Sequence, residues 1–158
     1  MQRQHSNLDL LAELKELLAG ERDFIANAAN TAALLFLRLE QINWVGFYLL
    51  RGSQLVLGPF QGKPACVRID LGKGVCGTAA QRRTTIVVPD VHQFPGHIAC
   101  DEMSQSEIVV PLLTDDGQLL GVLDVDSPQL SRFNAADTEQ LKEIARVLLN
   151  ASDIPSLL

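Results

Sequence analysis

Three segments of the chain carry apolar residues at helical spacing. From about Asn7 to Leu18, leucines recur every three or four positions, so one face is apolar and the other is charged. A second segment, from about Arg22 to Glu40, is apolar on more than one side and is expected to be buried. A third runs from about Ala135 to Asn150. The pattern predicts N-terminal helices over about 7–40, with Ser6 or Asn7 as a cap, and a C-terminal helix over about 135–150.

The chain between these helices has shorter apolar runs that are rich in β-branched and aromatic residues, as strands are. A first strand is predicted over Ile42–Leu50, where alternation puts Trp44 and Tyr48 on one face and Val45 and Phe47 on the other. The remaining predicted elements are a short helix and five strands: Gln54–Leu57, Cys66–Ile69, the helix Gly74–Arg82, Thr84–Val88, Glu107–Leu113 and Gln118–Val125.

This order of elements is typical of an α+β fold. We expect one antiparallel sheet, with the N- and C-terminal helices packed on one face and site loops on the other. The sheet and its loops would occupy about 42–126, and residues 1–158 would form a single domain.

Composition and charge narrow the function classes. The net charge is −6 and the longest basic cluster is Arg82-Arg83, which argues against nucleic acid or an anionic membrane as partner. No apolar run approaches the roughly 20 residues that span a bilayer. The N-terminus lacks the pattern of a signal peptide, so the expected location is the cytoplasm. There, cysteines more often serve metal binding or redox chemistry than structural disulfides.

The stretch from Gly58 to Pro111 is dense in glycine and proline and holds all three cysteines, Cys66, Cys76 and Cys100. Such density predicts turns and loops, and a loop-rich segment between regular flanks suggests a site held on a scaffold. The alternative is a surface excursion in which the cysteines are merely small apolar residues.

Three acids are predicted to converge at one end of the last hairpin. Asp124 and Asp126 project to the same strand face, following Leu120 and Val122, and Glu107 starts the partner strand. Crowded carboxylates raise one another's pKa, so one of them could donate a proton near neutral pH. Otherwise they are three solvated strand ends. Trp44 and Tyr48 would form either an aromatic wall of the pocket or ordinary core.

The cysteines allow two readings. A zinc site could draw on scattered candidate ligands, although no Cys-x-x-Cys pair is present: Cys66, Cys76, His92, His97 and Cys100. Redox chemistry fits better, because a thiolate that becomes a sulfenic acid needs a second thiol to resolve it.

The strings LGPFQGKPACVRIDLGKGVCGTAA, VPDVHQFPGHIACDEMSQSEIVVPL and GVLDVDSP closely resemble the free methionine-(R)-sulfoxide reductases, enzymes built on a single GAF domain. The resemblance covers about Asn43 to Phe133. The run HIACDEMSQSEIVVP, with two cysteines upstream, is specific to that family.

The resemblance implies a reductase of free methionine-(R)-sulfoxide that needs no metal or organic cofactor. It implies that Cys100 is the catalytic cysteine, that Cys66 resolves the sulfenic acid, and that Cys76 forms or passes on a disulfide. Thioredoxin would be the reductant. Five further positions match the family's pocket: the aromatic residues Trp44 and Tyr48, and the acids Glu107, Asp124 and Asp126.

The competing class is a GAF sensor module that binds a small ligand without catalysis. Its cysteines would be idle, and thiol counting before and after exposure to methionine sulfoxide would distinguish the two classes. A homodimer that uses the first helix is a further expectation.

Overall fold

The computed structural model describes residues 2–97 and 100–155. Its elements in chain order are α1 (Gln2–Leu18), α2 (Phe24–Arg38), β1 (Trp44–Arg51), β2 (Gln54–Gly62), β3 (Arg68–Asp70), α3 (Gly74–Arg82), β4 (Ile86–Val88), a 3₁₀ turn (Val91–Gln93), β5 (Ser106–Leu113), β6 (Leu119–Ser127) and α4 (Ala135–Ala151). The strands form one sheet in the order β3-β2-β1-β6-β5-β4, and every neighbouring pair is antiparallel. The predicted α+β class is confirmed.

Each face of the sheet is covered by its own apolar cluster. Val45 and Phe47 of β1 point to one face, where they pack with apolar residues of α1, α2 and α4. Trp44 and Tyr48 point to the other face, where they pack with residues of α3 and the adjoining loops. The strand alternation predicted from the sequence is therefore confirmed, and it separates a helix-covered core from the face that carries the cysteines.

Helix ends follow their capping residues. The Asp23 side chain caps α2 by accepting a hydrogen bond from the Ala26 amide, and the helix begins at Phe24, two residues later than predicted. Asn134 and Asp137 form a capping box that starts α4. Helix α1 begins at Gln2, so the prediction that Ser6 or Asn7 caps it is wrong. The apolar repeat that predicts this helix begins only at Leu8, so the sequence pattern does not mark its first residues.

Strand β2 is longer than predicted because Gly58-Pro59 does not end it. Leu57 pairs with Tyr48 and Phe60 pairs with Gly46, so the extra residue is absorbed in an irregularity of the ladder. A proline, which has no N–H, is tolerated at such a bulge. Conversely, β3 and β4 start two residues later than predicted, so Cys66 lies in the loop before β3 rather than in a strand.

A second bulge lies in the β5–β6 hairpin. Leu112 pairs with Gly121 but Leu113 pairs with Leu119, so Leu120 is the extra residue. Leu120 therefore packs in the helix-side core, whereas Val122 packs on the opposite face. The prediction that Leu120 shares a face with Asp124 is wrong, because strict alternation does not hold across a bulge.

The remaining loops agree in outline with the sequence. The predicted loop from Pro89 to Cys100 contains the 3₁₀ turn, and its residues Ile98 and Ala99 lie outside the described residues, as do residues 156–158 of the tail. In the part of the chain that the structure describes, no helix combines the length and apolar character needed to cross a membrane.

Substituting Gly121 tests the hairpin bulge. A Cβ added there would lie 2.1 Å from the Tyr48 carbonyl oxygen, and its φ of 157° is rare for other residues. We expect Gly121→Ala to lower the free energy of unfolding by about 3 kcal/mol or more, because a clash adds to backbone strain of about 1–3 kcal/mol.

Gly117 of the same hairpin is the matched control. Its φ is also positive, at 83°, but a Cβ would meet nothing within 4 Å. Gly117→Ala should cost only about 1–2 kcal/mol in denaturant unfolding. Equal losses in the two variants would show that the close approach to β1 is unimportant.

Candidate active site

Three carboxyl groups lie together on the sheet face opposite the helices. Glu107 of β5 pairs directly with Asp126 of β6, and Val109 pairs with Asp124, so the acids share one face. Glu107 and Asp124 are 6% and 5% exposed, and Asp126 remains partly accessible. The predicted convergence of the three acids is therefore present, and they are not solvated strand ends.

Cys76 completes this cluster from a separate element. It lies in the first turn of α3, as predicted, and is 5% exposed. Its Sγ and the carboxylate oxygens of Glu107 and Asp124 all lie within 4.8 Å of one another. One oxygen of Asp124, Oδ1, is buried without a hydrogen-bond partner.

The pKa values of the three acids shift in different directions. Burial, and then the charges of neighbouring acids, raise the pKa of Asp124 and of Asp126 well above the ordinary value. Burial acts in the same direction on Glu107, but hydrogen bonds from Asp124, His97 and Asp126 outweigh it and lower the pKa of Glu107. The two aspartates are therefore harder to ionise than an ordinary aspartate, whereas Glu107 is easier to ionise than an ordinary glutamate.

The neighbours of these acids are held neutral. Burial, followed by the charge of Asp124, raises the pKa of the Cys76 thiol and that of the Tyr48 hydroxyl. Neither group is therefore a ready nucleophile or base. His97 adjoins the cluster, with its Nε2 3.7 Å from Glu107 Oε1.

Cys66 and Cys100 form a disulfide across 34 residues of sequence, with their Cα atoms 5.8 Å apart. Cys100 is exposed and Cys66 is half-buried. Among the described residues, Cys76 is the free cysteine. His92 is largely exposed and contacts Asp90. The scattered zinc ligand set considered from the sequence is therefore not assembled.

The aromatic residues of β1 hold the loop that carries Cys66. The Tyr48 hydroxyl donates to the Cys66 carbonyl at 2.8 Å, and Trp44 Nε1 donates to the Lys63 carbonyl at 3.1 Å. Trp44 also stacks between Tyr48 and Phe60, with ring centroids 5.9 and 5.4 Å away. Trp44 and Tyr48 therefore both wall the pocket and fix the backbone next to the half-buried cysteine.

The residue before β1 holds the loop that carries Cys100. Asn43 Nδ2 donates to Asp101 Oδ2 and to Ser104 Oγ, both at 3.1 Å. Asp101 in turn accepts from the Met103 amide, which closes the turn after the exposed cysteine. Both cysteine loops are thus tied to one end of the same strand.

The pocket between these loops and the acids has a cavity of about 40 Å³ in this disulfide form. It is lined by residues predicted from the sequence and by others that were missed, notably Lys63, Lys73, His97, Asp101 and Ser104. The sequence indicates His97 only as a metal ligand, and it does not single out Phe60 or Asn43. The spacing of His97 three residues before Cys100 was the one available signal.

The fold and the site define the class of protein, a GAF domain with a disulfide-bonded cysteine pair beside its pocket. The GAF domain family model matches residues 9–151. The free methionine-R-sulfoxide reductase of Escherichia coli is 54% identical over 140 residues, covering 89% of this chain and 84% of that protein. The corresponding protein of Saccharomyces cerevisiae is 44% identical over 146 residues, covering 88% and 81%.

A solved structure shows the same similarity to free methionine-R-sulfoxide reductases. The free methionine-R-sulfoxide reductase of Neisseria meningitidis, in complex with its substrate, is 46% identical and superposes with a TM-score of 0.88 over 92% of this chain and 87% of that chain. The chain belongs to the GAF-domain family and, within it, to the free methionine-R-sulfoxide reductases.

The acid cluster predicts an unusual dependence of stability on pH. A raised pKa in the folded state means that Asp124 binds a proton that the unfolded chain releases above about pH 4. The wild-type protein should therefore lose stability as the pH rises, by up to about 1.4 kcal/mol per pH unit for each such proton. The side chain in Asp124→Asn cannot ionise. The free energy of unfolding of this variant, relative to that of wild type, should therefore increase from pH 5 to pH 8, as measured by denaturant unfolding of the disulfide form.

The matched control is Asp115→Asn in the exposed hairpin turn. Its stability difference from wild type should not change with pH. If the difference for Asp124→Asn is likewise constant between pH 5 and pH 8, the carboxyl of Asp124 is not protonated in the folded protein.

Proposed function

We propose that this protein reduces free L-methionine-(R)-sulfoxide to L-methionine, through a sulfenic acid on Cys100 and a disulfide with Cys66 that thioredoxin reduces. The observation that carries the proposal is the Cys66–Cys100 disulfide at the mouth of a pocket lined by crowded carboxyl groups. A sensor module would need neither a bonded pair of cysteines at the pocket nor protonated acids inside it.

The first step is attack by the Cys100 thiolate on the sulfoxide sulfur. The attack forms a bond between the two sulfurs. The oxygen, which takes up a proton, then passes from the methionine sulfur to the Cys100 sulfur as the bond between the sulfurs breaks, so methionine leaves and Cys100 becomes a sulfenic acid. Cys100 suits this role because it is the exposed member of the pair and adjoins the pocket. Cys76 does not suit it, because burial keeps its thiol protonated and its access to solvent is small.

The proton for the departing oxygen comes from the acid cluster. Of the two acids favoured by the sequence, Asp126 is the better donor, because its pKa is raised whereas that of Glu107 is lowered. Asp126 is also partly accessible, so it can be reprotonated from solvent after each turnover. Ionised Glu107 would instead attract the ammonium group of the free amino acid.

The second step consumes the sulfenic acid. The Cys66 thiol displaces water from Cys100, which forms the disulfide, and a dithiol reductant of the thioredoxin class returns both thiols by exchange. The exposed sulfur of Cys100 lies where an external thiolate can reach it. The cavity of the disulfide form is only about 40 Å³, so we expect substrate to bind mainly after reduction.

Cysteine substitutions test this order of steps. Cys100→Ser should abolish thioredoxin-coupled reduction of free methionine-(R)-sulfoxide, because a serine hydroxyl is a far weaker nucleophile. Cys66→Ser should release about one methionine per enzyme and then stall, because the sulfenic acid lacks its partner. The measurement is methionine release with and without thioredoxin.

The controls separate the alternatives. N-acetylated, C-amidated methionine sulfoxide should be a poor substrate for the wild-type enzyme, because it lacks the ammonium group that the acids attract. A wild-type protein that binds methionine sulfoxide without losing thiols is a sensor and not a reductase. If Cys76→Ser stalls after one turnover whereas Cys66→Ser does not, the resolving cysteine is Cys76.

Acid substitutions test the proton donor. Asp126→Asn should lower the single-turnover rate at saturating substrate by roughly 10²–10⁴-fold, the usual range for general acid catalysis. Glu107→Gln should mainly raise KM, because it removes a charge that binds substrate in both ground and transition states. The reactivity of Cys100 with a small disulfide probe should be unchanged in both. A larger rate loss in Glu107→Gln than in Asp126→Asn would reverse the two roles.

A further inference from the structure

The disulfide of the proposed reaction does not include Cys76. Cys66 and Cys100 form the disulfide, while Cys76 is buried on the floor of the same pocket. Cys76 belongs to the apolar cluster on this face of the sheet, but carboxyl groups also adjoin its sulfur. Its Sγ lies within 4.8 Å of carboxylate oxygens of both Glu107 and Asp124, which come from two other elements, β5 and β6.

Asp124 supplies a second, independent observation. Its carboxylate is 95% buried, since the residue is 5% exposed, yet Oδ1 has no hydrogen-bond partner. A buried polar oxygen without a partner costs free energy, and the same carboxylate contributes an oxygen to the cluster with Cys76 and Glu107. The space therefore favours a cationic occupant that can bind sulfur and oxygen together.

We propose that Cys76, Glu107 and Asp124 form an inhibitory binding site for a borderline-soft divalent cation, of which Zn²⁺ is the type. Zinc binds thiolate at about 2.3 Å and carboxylate at about 2.0–2.2 Å, so the ligand atoms of a tetrahedral site lie about 3.3–3.7 Å apart. The three atoms here, all within 4.8 Å of one another, need to move together by about 1 Å or less.

The ligand set also selects the metal. A thiolate ligand disfavours Mg²⁺ and Ca²⁺, which take oxygen ligands and require six or more of them. Three protein ligands leave a fourth position for water or for the His97 ring, whose Nε2 is 3.7 Å from Glu107 Oε1. Because all three ligands line the substrate pocket, the bound ion would occupy space that the substrate needs.

Cobalt binding to the disulfide form is the direct test, because Cys66 and Cys100 are then unable to bind metal. Adding Co²⁺ should produce one equivalent of a thiolate-to-cobalt charge-transfer band, and Zn²⁺ should displace it. Cys76→Ser should not show the band, and its affinity for Co²⁺ should be lower by about 100-fold or more. Asp124→Asn should keep the band and weaken binding by about 10-fold or more, a readout that survives if Cys76→Ser folds poorly.

His92→Asn is the matched control, since His92 is exposed and lies outside the pocket. It should bind cobalt as wild type does. The absence of the band in wild type would overturn the proposal, as would a band that survives Cys76→Ser or requires His92. These results do not depend on the reductase activity, so they stand or fall separately from the proposed function.

The inhibitory part rests on the proposed function and has its own test. Zn²⁺ should raise the apparent KM for methionine-(R)-sulfoxide with little change in kcat. The zinc concentration that inhibits Cys76→Ser should be higher than for wild type, by about the same factor as this variant loses in cobalt affinity. Inhibition that lowers kcat alone, or that is equal in both proteins, would show that zinc acts at Cys66 or Cys100 instead.

Discussion

The structure depends on strand β1 being buried on both faces. Val45 and Phe47 on one face are fully buried beneath the helices, and Trp44 and Tyr48 on the other are 3% and 2% exposed. A strand covered on both sides cannot shift by one residue without exchanging the two sets of side chains. This fixes which residues point into the pocket, and it places the polar ends of Trp44 and Tyr48 where they hold the Cys66 loop.

The neighbouring strand β6 uses the same rigidity to support an unfavourable arrangement. Asp124 and Asp126 project from a strand whose alternate residues, Leu123 and Val125, are fully buried in the helix-side core. That core stabilises the strand, so two carboxyl groups can be kept close to Glu107 although each raises the cost of ionising the others. Stability is thus given up at the pocket to keep the three carboxyl groups close together.

Much of this arrangement could be predicted from the sequence, because it follows from short-range rules. The alternation in β1, the turn at Asp115 to Gly117 and the span of α3 needed only periodicity, turn residues and helix-stop signals. The pairing of Glu107 with Asp126 followed from the length of the hairpin. The bulges at Gly58-Pro59 and Gly121 could not be predicted in this way, because glycine and proline occur both in turns and in bulges.

The missed site residues share a different cause, which is that each acts through a partner distant in sequence. Asn43 matters because it holds Asp101, 58 residues later, and Phe60 matters because it stacks on Trp44. A disulfide across 34 residues forms readily only if both loops are held near each other, since loop closure otherwise costs entropy. Anchoring both loops to one end of β1 reduces that cost while leaving the exposed Cys100 free to exchange partners. The scaffold thus contributes to the chemistry by keeping two thiols close without burying both.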